Sequence, residues 1–536
     1  MGRLLESELA REQMPVMGES LVTLGQAREA VKTVLWTQGP KTIVPQPLTV
    51  VQQGIWYFIS TALDFLAALV AMVAFTRLFT REEYGTWNLT LTTLALLTVV
   101  ANGGLSQAAV RFYWREADGE GGRPGILYST LLLAALTLGL VGMALGGTIG
   151  LVGRGWPRVS NLAHVLVVAA PLVLTSNLVE IFQGLYRARQ EGRAFGIVTL
   201  TRRFGTLAVG LVLVSAFHQG VQGYFWGQMA VEAILVAFLL MQMGGAGAVF
   251  RSGVSLELLM EFLRYGLPLV ITLLALNVLS FGDRYVIQFF LGEGEVGLYA
   301  VGYTAAAAVM GLLCRPMNLL VPPLYVACWE REGSQATREM LRRACEVYLM
   351  LGLPLFFGLM ALGRPVLLAL ASERFADSAI VLPWAGAGLL LNGLTTMTQA
   401  SLIIHNRTGL ILIAYLVSVT LNLGMNVILV PQIGILGAAV GTTLSYAAHL
   451  ALVTGCAFRS LEFPLLSAAT FRYLLASIVM ALVLKSLGGA SGLVALLLLV
   501  GLGVVTYNFL VGVMDRQFRD KMQWLLRAMR QIDPKA

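Results

Sequence analysis

Apolar residues in this chain come in long runs rather than in alternation with polar ones. From about residue 50 onward, stretches of about 20 apolar residues follow one another, each closed by a short polar joint, which is the length an α-helix needs to cross roughly 30 Å of hydrocarbon. The pattern predicts about 14 membrane-spanning helices. They fall at roughly 52–77, 86–112, 126–152, 160–186, 196–217 and 222–243, then 265–291, 297–326, 342–370, 377–403, 409–431 and 434–458, then 468–486 and 491–514. In hydrocarbon a chain must satisfy its backbone polar groups internally, so runs of this length specify an all-α polytopic membrane protein.

Two sets of six spans repeat each other. The joint after the first span, TREEYGTW (Thr80 to Trp87), and the joint after the seventh, GEGEVGLY (Gly292 to Tyr299), are acidic turns that lead into Gly and then an aromatic residue. Gly220 and Gly223 after the fifth span are matched by Gly434 and Gly437 after the eleventh, at nearly the same offset. Both sets begin on the same side of the membrane, so the expected repeat is parallel, with a central cleft between two lobes. The expected divisions are an N-terminal extension (1–48), an N-lobe (49–243), a linker (244–264), a C-lobe (265–458), two peripheral spans (459–514) and a basic amphipathic tail (515–536). Leu21, Leu24, Val31, Val34 and Leu35 give the extension the spacing of an amphipathic surface helix, with a disordered tail as the alternative. No apolar core follows the first basic residue, so a cleaved signal peptide is not expected.

Composition agrees with the pattern: 57% of the 536 residues are hydrophobic and only 12% charged, against about a quarter charged in an ordinary soluble domain. The net charge of +8 does not point to nucleic acid, because about 28 of the 37 Lys and Arg lie in the termini and the joints on one side, and about 7 on the other. That asymmetry puts both termini in the cytoplasm. Four cysteines and four histidines show no metal-ligand spacing, and no Gly-rich run carries the Lys-Ser/Thr of a phosphate loop, so neither a metal nor a nucleotide site is expected.

Charge inside spans is the informative chemistry. An ionised side chain at mid-membrane costs about 2.5–3.5 kcal/mol, and such groups face a partner or a wet cavity instead of lipid. Asp283 and Arg284 in the seventh span and Arg315 in the eighth are such groups, and the two arginines read as the bases placed well inside spans. Asp283 and Arg284 project about 100° apart, so each needs a partner elsewhere. Asp64 in the first span is the expected partner of an arginine across the cleft. Asp64 and Glu232, the carboxylates nearest mid-membrane, are the candidates for coupling to a proton or Na⁺. Glu180 and Arg187 read as a candidate inner gate, or as an ordinary interfacial pair. Asn277 and Asn318 add amides beside the arginines, while Asn422 and Asn426, four apart, suit helix-joining hydrogen bonds.

The runs RLFTREEYGTWNL (Arg77 to Leu89), YGLPL (Tyr265 to Leu269), FGDRYVIQFFLGEGEVGLYAVGY (Phe281 to Tyr303) and LNLGMNVILVPQIGILGAAVGTTLSY (Leu421 to Tyr446) resemble the polysaccharide-transport branch of the multidrug/oligosaccharidyl-lipid/polysaccharide exporter superfamily, the Wzx-type flippases, over roughly residues 50 to 515. The resemblance implies a multi-pass bacterial inner-membrane protein that moves polyprenyl-diphosphate-linked oligosaccharide between leaflets by alternating access. Its partners would be that substrate, membrane lipids and other polysaccharide-assembly membrane proteins. Arg284, Arg315, Asp283, Asn277 and Asn318 would then hold the diphosphate sugar headgroup, since guanidinium keeps its charge when partly desolvated and pairs with phosphate oxygens. A drug or organic-cation exporter of the same fold is the alternative. A polysaccharide polymerase or ligase would need a large outward catalytic loop, and the outward joints are short, so no enzyme is expected.

Overall fold

The computed structural model describes residues 47–117, 124–243, 253–487 and 492–515. Most of the N-terminal extension and nearly all of the C-terminal tail, with the amphipathic helices expected there, lie outside the described residues. Within those described, every regular element is helical. In chain order they are α1 (Pro47–Leu78), α2 (Arg81–Asn102), α3 (Leu105–Ala117), α4 (Pro124–Gly153), α5 (Ser160–Ala169), α6 (Pro171–Ala188), α7 (Gly192–Ser215) and α8 (Gly220–Gln242). The second half continues with α9 (Leu256–Phe281), α10 (Asp283–Leu291), α11 (Glu293–Leu370), α12 (Leu382–Thr398), α13 (Ala400–Ile404), α14 (Thr408–Ile433), α15 (Ile435–Ala457), α16 (Ala468–Ser486) and α17 (Leu493–Met514).

Twelve of the described helices are long and apolar enough to cross a membrane, and the pair α5–α6, bent by 52°, makes a thirteenth span. Helix α11 has 78 residues, about 117 Å of helix, and therefore holds two spans. Gly333, at φ 78°, breaks it in the middle of its polar stretch. Several joints expected as loops are helical instead. Helix α3 runs to Ala117 and α9 begins at Leu256, and their polar ends tie to each other through Arg115 and Glu261, with Nη1 donating to Oε1 at 2.7 Å and Nη2 to Oε2 at 2.5 Å.

Successive spans alternate in direction, so the joints gather at two ends: a basic end (near 113–124, 188–192, 243–256, 330–343 and 458–468) and an opposite end (near 79–81, 154–159, 291–293 and 371–381). At the opposite end the two halves interlock. Helix α2 starts with a capping box, in which Thr80 Oγ1 accepts from the Glu83 amide (3.2 Å) and the Glu83 carboxylate accepts from the Thr80 amide (2.9 Å). Five residues on, Gly85 lies against the backbone of α11: a Cβ built there would stand 1.9 Å from the Glu293 carbonyl oxygen. A Cβ on Gly297 would stand 2.1 Å from the Arg81 carbonyl oxygen.

An aromatic cluster of Phe75, Phe79, Tyr84, Trp87 and Tyr224 fills the space beneath, and Tyr84 meets Phe375 of the 3₁₀ turn Glu373–Ile380 edge-on at 5.4 Å. Arg81 donates to Asp377 (3.0 Å) and to the Arg374 carbonyl (2.6 Å). Toward the basic end the two halves meet again, where Gly104, between α2 and α3, would place a Cβ 2.4 Å from the Gly266 Cα of α9. The second sequence repeat also has a backbone counterpart: Gly220 (φ 54°) and Gly434 (φ 65°) each turn the chain into a new span through the left-handed region.

Candidate substrate cavity

At 1.5 Å per residue, Asp64 lies about 21 Å below the end of α1, Arg203 about 18 Å below the end of α7, and Glu232 about 18 Å below the start of α8. These are mid-membrane depths. The three helices are neighbours, with α7 packed against both α1 and α8. Consecutive arginines on α7 therefore reach to either side: Arg202 Nε donates to Glu232 Oε1 at 2.8 Å, and Arg203 Nε lies 3.3 Å from Asp64 Oδ1.

The two pairs are built differently. Glu232 is fully buried and also accepts from Thr175 (2.6 Å), Ser176 (2.9 Å) and Gln228 (2.9 Å), while Arg202 donates a second bond to Ser176 Oγ (2.9 Å). Its carboxylate is saturated. Asp64 and Arg203 keep 36% and 41% of their side-chain surface. Asp64, Arg203 and Arg202, with Glu180, Gln183, Thr98 and Thr199, line a cavity of about 290 Å³, while Glu232 lies buried behind its wall.

A second cavity, of about 500 Å³, opens between α1 and α11 and is lined mainly by apolar groups, among them Phe65, Leu312 and Leu319. Arg315 stands in its wall with its guanidinium 4.5 Å over the Phe65 ring. Phe65 belongs to the first half and Arg315 to the second, so groups from both halves of the chain meet there. Asp64 lines the polar cavity and its neighbour Phe65 the apolar one.

Arg315 is exposed in the wall, and Asn318, beside it, accepts from Thr396 Oγ1 at 2.6 Å. Asn277 donates to the Leu273 carbonyl of its own helix at 2.8 Å. Asp283 and Arg284 stand elsewhere. Helix α9 ends at Phe281, and Asp283 opens α10 fully buried, accepting from Thr442 Oγ1 (3.0 Å) and from the Tyr299 hydroxyl. Asn422 donates to the same Thr442 (3.2 Å) and Asn426 to Asn422 (3.0 Å), so these amides join α14 to α15. Arg284 is 5% exposed, donates to Thr92 Oγ1 of α2 at 3.1 Å and lies 4.6 Å over the Phe281 ring. It sits at the seam between halves and lines neither cavity. Asp283 and Arg284 do take separate partners, and Asp64 does pair with an arginine, but that arginine is Arg203. Glu180 lines the polar cavity, while Arg187 is exposed near the basic end of α6.

Arg202 and Arg203 correct the expectation that Arg284 and Arg315 are the bases placed well inside spans. Both fall within the expected fifth span, 196–217, six and seven residues from its start. Helix α7 starts at Gly192, so Arg202 is ten residues, about 15 Å, inside it, too deep for a flank. The available signal was two arginines facing two unpaired intramembrane carboxylates, since such charges come in pairs.

The family model described as polysaccharide biosynthesis protein matches residues 50–324. The chain belongs to that family. It is a polytopic membrane protein, and the curated relatives it matches are described as flippases or a transport protein rather than as enzymes. A "Probable low-salt glycan biosynthesis flippase" of Haloferax volcanii is 28% identical over 235 residues, 43% of this chain and 49% of that protein. A "Probable flippase" of the same organism is 26% identical, over 46% of this chain and 53% of its own length. The chain spans about half the length of these two curated relatives. A "Succinoglycan biosynthesis transport protein" of Rhizobium meliloti is 23% identical over 67% of this chain and 69% of its own. Among solved structures, the lipid II flippase MurJ in an inward closed conformation superposes with a TM-score of 0.70 at 16% identity, covering 86% of this chain and 99% of that one. An inward-facing multidrug resistance MATE family transporter of the MOP superfamily gives 0.59 at 16% identity, covering 80% and 96%. At these identities the likeness is one of fold.

Proposed function

We propose that this protein is a flippase that carries a polyprenyl-diphosphate-linked oligosaccharide across the membrane by alternating access, with the basic end in the cytoplasm. The supporting observation is a pair of neighbouring cavities. Arg203 lines a polar one and Arg315, from the other half, an apolar one open between α1 and α11, with the consecutive residues Asp64 and Phe65 lining one each. A lipid-linked diphosphate has the same two parts: an anionic head that needs guanidinium donors and a hydrocarbon chain that stays in the apolar layer. The binding bases are then Arg203 and Arg315, with Asp64 neutralising Arg203 until the diphosphate displaces it. The half-exposed Arg203–Asp64 pair is the one whose separation costs little, about 0–1 kcal/mol. The six-span lobes at 49–243 and 265–458 rock about the interlocked opposite end, and other polysaccharide-assembly membrane proteins supply and take the substrate.

The test is headgroup translocation in liposomes of defined lipid-linked glycans, comparing the parent with Arg203→Ala and Arg315→Ala. Loss of one charge-assisted phosphate contact, about 1.5–3 kcal/mol, lowers apparent affinity roughly tenfold to a hundredfold. Parent-rate flipping by both variants, inserted at parent levels, rejects the site. The second reading, an exporter of organic cations, is favoured by Glu180, a second carboxylate lining the polar cavity beside Asp64. Transport of small organic cations by the same vesicles, abolished by Glu180→Gln, would select it.

A further inference from the structure

A separate cavity of about 430 Å³ lies at the basic end of the first half, where α4, α6, α7 and α8 begin or end together. Its wall is apolar on one side, with Phe182, Leu185 and Leu239, and polar at the rim, with Tyr128, Arg189 and Gln242. The rim is preorganised. Arg189 Nε donates to the Tyr113 hydroxyl (3.2 Å), Nη2 donates to the Tyr128 hydroxyl, and the two hydroxyls lie 3.2 Å apart. The guanidinium also lies over both rings, at 5.8 and 5.2 Å.

The donor count at this rim leaves a surplus. Each phenol oxygen accepts from Arg189, one phenol proton serves the bond between the two hydroxyls, and the other is unspent. Arg189 Nη1 has Glu191 at 3.8 Å, beyond hydrogen-bond length, and Glu191 is 47% exposed. An oxyanion at the rim would take the spare phenol proton and the outer guanidinium protons together and turn Glu191 to solvent. An apolar wall beneath a charged rim at the membrane boundary has the shape of a lipid's two parts.

We propose that this cavity binds an anionic phospholipid of the adjacent leaflet, with its phosphodiester on Arg189 and Tyr128 and an acyl chain along Phe182, Leu185 and Leu239. The site is separate from the substrate cavity and stands whether or not the protein flips a glycan. The test uses the full chain in detergent, titrated with phosphatidylglycerol, phosphatidylcholine or inorganic phosphate, and reads thermal unfolding and lipid retention by native mass spectrometry. Phosphatidylglycerol should raise the unfolding temperature while phosphatidylcholine does not, and Arg189→Gln should weaken phosphatidylglycerol retention about tenfold. Equal protection by the two lipids, equal protection by inorganic phosphate, or an unchanged response in Arg189→Gln overturns the proposal. Should Arg189→Gln fail to fold, photo-crosslinkable phosphatidylglycerol on the parent protein decides. Crosslinks must map to 182–189 and 239–243, and mapping elsewhere overturns it.

Discussion

Gly85 and Gly297 make the same contact in reverse. The first lies on the carbonyl of Glu293 and the second on that of Arg81, and each member of one contact stands 212 residues from its counterpart in the other. The sequence repeat is thus also a crossing of two helices about a local two-fold axis, and the crossing can be this close only because both positions lack a Cβ. Arg81–Asp377 and Tyr84–Phe375 hold the same end shut.

Gly85→Ala with Gly297→Ala should therefore open the end opposite the basic one. Overpacking of this kind costs about 1–3 kcal/mol, which multiplies the open-to-closed ratio by roughly 5 to 150. Thr304, which faces the space beneath the crossing, is the reporter. A Thr304→Cys background should label faster from the side opposite the basic end once the alanines are present, and unchanged labelling would show that the crossing is not a seal.

The two ion pairs of α7 should respond oppositely to truncation. Glu232→Ala leaves Arg202, only 25% exposed, without its counter-charge, and breaking a buried pair from one side costs about 3–5 kcal/mol. Arg203→Ala separates a half-exposed pair worth about 0–1 kcal/mol. Chemical or thermal unfolding in detergent should thus show a large loss for the first and almost none for the second, while transport falls in both. Similar stability losses would mean that Arg203 is structural, and would remove it as a substrate ligand.

How much could be read in advance follows from the physics of each feature. Span number and the pairing of Asp64 with an arginine depend on run length and on the cost of lone intramembrane charge, and the repeat on matched turns such as TREEYGTW and GEGEVGLY, all of them local properties of the chain. The site itself was only half legible. Arg315 lines the cavity, but Arg284, in an equally apolar setting, is spent on Thr92 and Phe281, and no spacing distinguishes a charge facing a cavity from one facing a seam. Arg202 and Arg203 stand only six and seven residues into the expected span 196–217, a depth that reads as a flank, whereas α7 begins four residues earlier with GRAFG and carries its arginines to mid-depth.

Arg284 should accordingly behave as a joint between halves. Arg284→Ala removes the bond to Thr92 and the packing on Phe281 at the seam, and leaves the buried Asp283 beside no positive charge on its own helix, so it should lower stability at least as much as it lowers transport. Thr92→Val removes only the partner hydroxyl and should cost about 1 kcal/mol with substrate affinity unchanged. A transport defect in Thr92→Val or Arg284→Ala at parent stability would return Arg284 to the binding site.

Asp64→Asn tests the role given to the movable pair. Without the carboxylate, Arg203 is free before substrate arrives, so the diphosphate no longer has to displace an internal anion and apparent affinity should rise. The same carboxylate is what would recapture Arg203 when substrate leaves, so release should slow. Steady-state translocation by Asp64→Asn should then show a lower KM together with a lower kcat, by about fivefold each if the pair is worth about 1 kcal/mol. A lower kcat with unchanged KM would place Asp64 in ion coupling alone, and an unchanged kcat would mean that recapture of Arg203 does not limit the cycle.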